Sequence, residues 1–206
     1  MGDAPRLPHY EYLVDGLPSA GERKPLLLFL HGKGERGRDV QKVRAHGPPQ
    51  LFPRHGLDRF VLVSPQCPDE QKWDAGHLEE FLDAFRQSCP VDDARTYLTG
   101  LSLGGEGGFH LLARRPDRFA ASVLICGRPD LSSVGRLPRF TKPIWLVHSA
   151  GDDAVPVAHT DAVFDALRAM RAPVTYTRYD SQGHVATWQK AYDGRMLFDW
   201  LLEHRR

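Results

Sequence analysis

The feature that most constrains this chain is a set of short runs that are apolar at nearly every position. Leu26-Leu27-Leu28-Phe29-Leu30 and Ile144-Trp145-Leu146-Val147 present no charged residue to water. A strand packed on one face alternates apolar and polar residues, so runs of this kind require cover on both faces, as for an inner strand of a parallel sheet. Further strands are read at Tyr10 to Val14, Phe60 to Ser64, Arg95 to Thr99, Ala121 to Cys126 and Val174 to Tyr179. Between them, Leu78 to Phe85 and Val163 to Met170 repeat apolar residues at three- and four-residue spacing, the period of an amphipathic helix. A last helix is expected from about Trp188 to Glu203, stitched to the core by Leu197, Trp200 and Leu201. His46-Gly47-Pro48-Pro49 interrupts a helix-capable region, so residues 38–58 read as short helix and loop. Strands alternating with helices predict an α/β architecture: a mostly parallel sheet with helices on both faces.

The 206 residues suit one domain over 1–206, with residues 1–9 as a candidate flexible tail. Lysine plus arginine total 27 against 26 acids, and 41% of residues are hydrophobic, which argues against a polyanion-binding surface and against wholesale disorder. Nucleic acid is therefore not an expected partner. No apolar run is long enough to cross a bilayer, and Met1-Gly2-Asp3-Ala4-Pro5 lacks a basic start followed by an apolar core, so a cytoplasmic protein with no membrane partner is expected. Cys67, Cys89 and Cys126 form no C-x-x-C pair and leave an odd thiol; they read as reduced core residues, with no metal cage expected.

Chemistry enters at Gly100-Leu101-Ser102-Leu103-Gly104. It matches G-x-S-x-G and stands between the strand ending at Thr99 and a helix-like segment, Gly108 to Arg114. A sharp strand-to-helix turn there would project the Ser102 hydroxyl, with glycines letting the neighbouring backbone approach closely. The bland alternative is a glycine-rich turn with a helix-capping serine. A serine hydroxyl is a weak nucleophile until a base takes its proton and a carboxylate orients that base. Behind an elbow of this type the acid comes first along the chain and the histidine after it. Of His110, His148, His159, His184 and His204, only His184 occupies a Gly-His loop just after the last strand. The acid is expected after the preceding strand, where His148-Ser149-Ala150-Gly151-Asp152-Asp153 offers two adjacent candidates.

Gly32-Lys33-Gly34-Glu35-Arg36-Gly37 matches G-x-G-x-x-G and follows a buried strand, which in isolation would suggest dinucleotide binding. That reading needs a clean helix next and an acid at the end of the following strand. Instead Pro48-Pro49 breaks the helix and the strand ends in Ser64-Pro65-Gln66. In a hydrolase, the same loop supplies one backbone N–H of an oxyanion hole, from Lys33, while Leu103 supplies the other.

Leu30 to Gly37, Val63-Ser64-Pro65-Gln66-Cys67-Pro68, Tyr97 to Gly105, Pro116-Asp117-Arg118-Phe119-Ala120-Ala121 and Gly183-His184 together resemble small bacterial esterases of the α/β-hydrolase superfamily. These are the phospholipase/carboxylesterase or predicted-peptidase type, related to polyhydroxybutyrate depolymerase and feruloyl esterase-like proteins. The resemblance implies a nucleophile at Ser102, an acid at Asp152 rather than Asp153, a base at His184, a small acyl ester as substrate and no cofactor. Two positions depart from the pattern: Glu106 stands where an aromatic residue is common, and Lys33 where a small one is. Thioesterase, lysophospholipase or peptidase activity through the same residues is the alternative, with a non-catalytic binding protein behind it. Trp73 and Trp188 are candidate substrate-lining residues, with core packing the competing role for both. Residues 127–142, between Cys126 and Pro143, are too few for a large cap domain, so an open site is expected.

Overall fold

The computed structural model describes residues 6–129 and 140–206. In chain order its elements are β1 (Tyr12–Asp15), β2 (Lys24–Leu30), α1 (Pro48–Leu51), β3 (Val61–Pro65), α2 (Ala75–Ser88), β4 (Val91–Leu101), α3 (Leu103–Arg114), β5 (Ala121–Ile125), β6 (Ile144–Ser149), α4 (Ala158–Ala169), β7 (Val174–Tyr179), α5 (His184–Tyr192) and α6 (Met196–Leu202). The strands form one sheet in the order β1-β3-β2-β4-β5-β6-β7. Every neighbouring pair is parallel except β1 with β3, which is antiparallel at the margin. The expected mostly parallel α/β sheet is therefore what the chain forms.

The apolar runs sit where their composition requires. Leu26, Leu28 and Leu30 of β2 pack on one face with Leu78, Phe81 and Phe85 of α2 and Phe109 of α3. Leu27 and Phe29, half a pleat away, face Tyr192, Leu197 and Phe198 of α5 and α6. Burying Leu26 to Leu30 completely removes them from water on both sides, at about 1.5–3 kcal/mol of transfer free energy each.

Two details differ from the sequence reading. The expected final helix is two, because Gly194 takes φ +91 and ends the hydrogen-bonded run between α5 and α6. β4 starts at Val91 rather than near Arg95, its exposed end carrying Asp92 and Asp93, whose charge hides the strand pattern. Within the stretch read as a tail, His9 stacks on His77 of α2 with ring centroids 4.0 Å apart. Residues 38–58 are short 3-10 and α turns, as their prolines imply. Most of the segment read as too short for a cap, 130–139, lies outside the described residues. No described helix is long and apolar enough to cross a membrane.

Candidate active site

At the C-terminal end of β4 the chain reverses into α3 through Ser102, held at φ 53, ψ −117. This is a costly conformation for a residue with a Cβ, so the surroundings must impose it. They do so through glycine contacts that leave no volume for a side chain. A Cβ on Gly104 would lie 1.9 Å from the Leu30 carbonyl oxygen, and one on Gly100 would lie 2.4 Å from that of Gly104. The Ser102 N–H donates to the Ile125 carbonyl at 2.9 Å, tying the turn to β5.

The loops after β6 and β7 bring the two remaining expected residues to this turn. Ser102 Oγ lies 2.9 Å from His184 Nε2, and His184 Nδ1 lies 2.7 Å from Asp152 Oδ2. The carboxylate sets the tautomer: Nδ1 faces an acceptor and so carries the proton, leaving Nε2 free to take one from Ser102. Asp152 has no exposed side-chain surface. Burial alone would raise its pKa, but hydrogen bonds from His184 and from the Val155 and Ala154 amides outweigh it and hold the carboxyl below its usual value. The adjacent Asp153 is turned to the same histidine's backbone: its Oδ1 accepts the His184 N–H at 3.0 Å, satisfying the first free amide of α5.

Gly32, at the start of the loop from His31 to Gly37, lies beside the same serine: a Cβ on Gly32 would sit 3.6 Å from Ser102 Cβ. Lys33 opens a short 3-10 turn and Leu103 opens α3, so both backbone amides occupy first-turn positions that have no acceptor within their own helix. The segment after β3 braces this loop, a device the sequence reading missed. His31 Nδ1 donates to the Gly32 carbonyl at 2.6 Å, while its Nε2 accepts from Cys67 N–H at 3.0 Å. Burial pushes this imidazole down to about 4, keeping it neutral for both bonds. Gln66 Nε2 donates to the Glu35 carbonyl at 2.8 Å, and Arg36 donates to that of Gln71 at 2.9 Å. Lys72 Nζ pairs with Glu106 Oε1 at 2.7 Å, joining the brace to α3.

Both tryptophans are buried in the core, on opposite faces of the sheet. Trp73 is buried beneath the loop, its Nε1 donating to the His31 carbonyl at 3.2 Å and its ring packed in the core, so packing rather than lining accounts for its contacts. Trp188 packs in the core on the other face of the sheet and meets the His184 ring edge-on at 4.9 Å; the cavity of about 420 Å³ that it borders with Gly47, Gln50 and Leu51 is lined by none of Ser102, Asp152 and His184. The three cysteines are free and buried. Cys126 Sγ, an Asp152 oxygen and a His184 nitrogen lie within 4.8 Å of one another. Burial raises the Cys126 thiol, and the other two groups already bond each other, so a metal there would have to break the Asp152–His184 bond.

A strained serine at the end of an inner strand, in a parallel sheet with one antiparallel margin, defines an α/β hydrolase. Comparison with known proteins supports that fold, and the proteins it resembles include esterases. A thermostable esterase superposes with a TM-score of 0.80 at 27% identity, over 95% of this chain and 59% of that one. A phospholipase/carboxylesterase from Dyadobacter fermentans shares the fold at a TM-score of 0.68 and 16% identity, over 94% of this chain and 100% of that one. The bifunctional acetylxylan esterase/xylanase XynS20E of Neocallimastix patriciarum is 27% identical over 139 residues, 64% of this chain and 20% of that protein. Poly(3-hydroxyalkanoate) depolymerase C of Paucimonas lemoignei is 23% identical over 163 residues, 74% of this chain and 37% of that protein. The chain thus spans less than half the length of these two curated relatives. Residues 127–206, which carry Asp152 and His184, match the prolyl oligopeptidase family.

Proposed function

We propose that the protein is a serine carboxylic-ester hydrolase acting on small acyl esters through Ser102, His184 and Asp152. The observation that carries this reading is the continuous path from Ser102 Oγ to His184 Nε2 at 2.9 Å and from His184 Nδ1 to Asp152 Oδ2 at 2.7 Å. Ser102 Oγ attacks the ester carbonyl carbon while its proton passes to His184 Nε2. The carbonyl oxygen becomes an oxyanion that the Lys33 and Leu103 amides hold, each donor contributing about 3 kcal/mol in the transition state. Collapse breaks the bond to the alcohol, which leaves with the proton from Nε2. Water then repeats the sequence on the acyl-serine and releases the acid. Asp152 keeps the imidazole in the tautomer that can accept and stabilises the cation it becomes.

Small acyl groups are favoured on two grounds: a curated relative is named for acetylxylan, and the short 127–142 segment leaves little length for an acyl tunnel. Each methylene would otherwise gain about 0.8 kcal/mol on burial. The expected result is that kcat/KM falls from p-nitrophenyl acetate and butyrate to octanoate and palmitate, with no jump where micelles form, and that Ser102→Ala abolishes both turnover and fluorophosphonate labelling. Labelling that survives in the alanine variant refutes the nucleophile. The prolyl oligopeptidase match favours one other reading, a peptidase using the same residues. An aminoacyl amide in the same panel, cleaved faster than the acetate ester, would establish it instead.

A further inference from the structure

We propose that His148 is a positioning residue for Asp152: its imidazole, oriented by Thr160, donates from Nε2 to the carboxylate and holds it toward His184. The proposal rests on the reading of Ser102, His184 and Asp152 given above, in which His148 has no part.

His148 lies near the end of β6 with no exposed surface. Its Nε2 is 3.1 Å from Asp152 Oδ2 and 3.0 Å from the Val155 carbonyl oxygen. Both neighbours are acceptors only, so Nε2 carries a proton. On the other side of the ring, Nδ1 is 2.7 Å from the hydroxyl of Thr160, a buried residue in the first turn of α4. With the proton on Nε2 and the ring neutral, Nδ1 accepts and the Thr160 hydroxyl donates. Burial lowers the His148 pKa against the opposing pull of Asp152, which favours that neutral form.

The consequence falls on Asp152. Its Oδ1 takes the Ala154 and Val155 amides at 3.0 and 2.8 Å, and its Oδ2 takes His184 Nδ1 at 2.7 Å and His148 Nε2 at 3.1 Å. The two amides pin one oxygen, and the two imidazoles grip the other from both sides. Removing His148 would leave Oδ2 held by His184 alone, free to tilt as that ring moves. A chain of hydrogen bonds thus runs from Ser102 through His184, Asp152 and His148 to Thr160, ending on a helix that supplies none of the reacting groups. Other ionisable groups around the ring are accounted for. Cys126 sits near the Asp152–His184 pair on the β5 side, and Arg178, opposite His148 in register on β7, is paired at 3.2 Å with Asp161 of α4.

A histidine that merely filled the core would share this burial, so the test reads tautomer and pH profile as well as rate. In the wild-type protein, ¹⁵N NMR of the imidazoles should show His148 protonated on Nε2 and bare on Nδ1 through the neutral range. His148→Leu should lower kcat/KM for p-nitrophenyl acetate about tenfold to a hundredfold, the effect of removing a hydrogen bond to a charged group. The loss should fall on kcat with little change in KM. The acid limb of the pH profile should move up, because the Asp152 carboxylate, with one donor fewer, draws the His184 Nδ1 proton more strongly and favours the imidazolium that cannot act as base. His148→Gln, which returns an N–H near the Nε2 position, should recover most of the rate, and Thr160→Val should fall between the two. An Nδ1–H tautomer, a cationic ring, a folded leucine variant with wild-type kcat and pH profile, or a glutamine variant as slow as leucine would each overturn the proposal. If neither His148 variant folds, the NMR assignment and Thr160→Val decide alone. Hydrolysis surviving in Ser102→Ala would instead refute the triad, and the two failures are therefore distinguishable.

Discussion

At the scale of single residues, the adjacent pair Asp152 and Asp153 shows how one step along the chain separates two roles. The Asp152 side chain is turned inward to a histidine ring, whereas that of the exposed Asp153 reaches the backbone N–H of the same histidine. Asp152→Asn keeps the shape but replaces an acceptor oxygen by a donor or weakens it, so the imidazole loses its tautomer control. The expected cost in kcat is on the order of 10⁴. Asp153→Asn retains an acceptor for the His184 amide and should change kcat little, while Asp153→Ala should cost at most about tenfold by freeing the first turn of α5. Steady-state kinetics on the three variants checks the ordering, and a larger loss at Asp153→Asn than at Asp152→Asn would reverse it. Sequence reasoning could reach the pair Asp152-Asp153 from chain order, with the preference for Asp152 coming from the resemblance to known esterases. It could not reach His148 or Thr160, whose partners are brought together by the pairing of β6 with its neighbours and the docking of α4. Nor could it choose between packing and lining for Trp73, which depends on a single carbonyl beneath the loop.

At the scale of elements, the site depends on α3 approaching β2 more closely than any side chain would permit. Gly104 is the point of contact, and the atom its Cβ would strike is backbone, which cannot swing aside. Gly104→Ala should therefore push the start of α3 away from the sheet, moving Ser102 relative to His184. Activity should fall by at least about 10²-fold, since a displacement near 1 Å has that effect on a positioned reaction, and the thermal midpoint should fall with it. Alanine at Gly34, whose Cβ would meet nothing within 4 Å, is the control and should be nearly silent in stability. Equal effects of the two would remove close approach as the reason for glycine at 104. The same contrast explains which elements were legible. β2 and β6 announce themselves because they are buried on both faces and so carry apolar runs. The division of α5 from α6 is hidden because Met196 and Leu197 continue an apolar pattern across Gly194. The brace from residues 66–73 is hidden because several of its bonds end on backbone atoms, which any sequence supplies.

At the scale of the whole molecule, these buried neutral histidines make the fold sensitive to acid at a pH above the carboxylate range. His31 goes from an ordinary 6.5 to about 4 in the folded protein. Below 6.5 the unfolded chain takes up a proton that the folded one refuses, so stability is at full value above that pH and is lost progressively down to about 4. The gap corresponds to about 3 kcal/mol, or a fall in thermal midpoint on the order of 5 to 10 °C for a chain of this size. His148 is shifted in the same direction and adds to the loss. Asp152, Asp92 and Glu79 are all held below their usual values by hydrogen bonds or cations that offset burial, so their share disappears only as pH falls through those lower values. Two windows should consequently appear when the midpoint is followed by circular dichroism from about pH 8 downward: a histidine-owned decline beginning near 6.5 and a carboxylate-owned one below it. Protonating His31 also turns Nε2 from acceptor to donor against the Cys67 N–H, which undoes one of the bonds holding the Gly32–Lys33 loop at Ser102. Activity measured after return to neutral pH should recover from the first window. A midpoint that stays level to about pH 4 and only then drops would assign the acid lability to the carboxylates alone, and would mean that His31 accepts a proton without loss of its place under the loop.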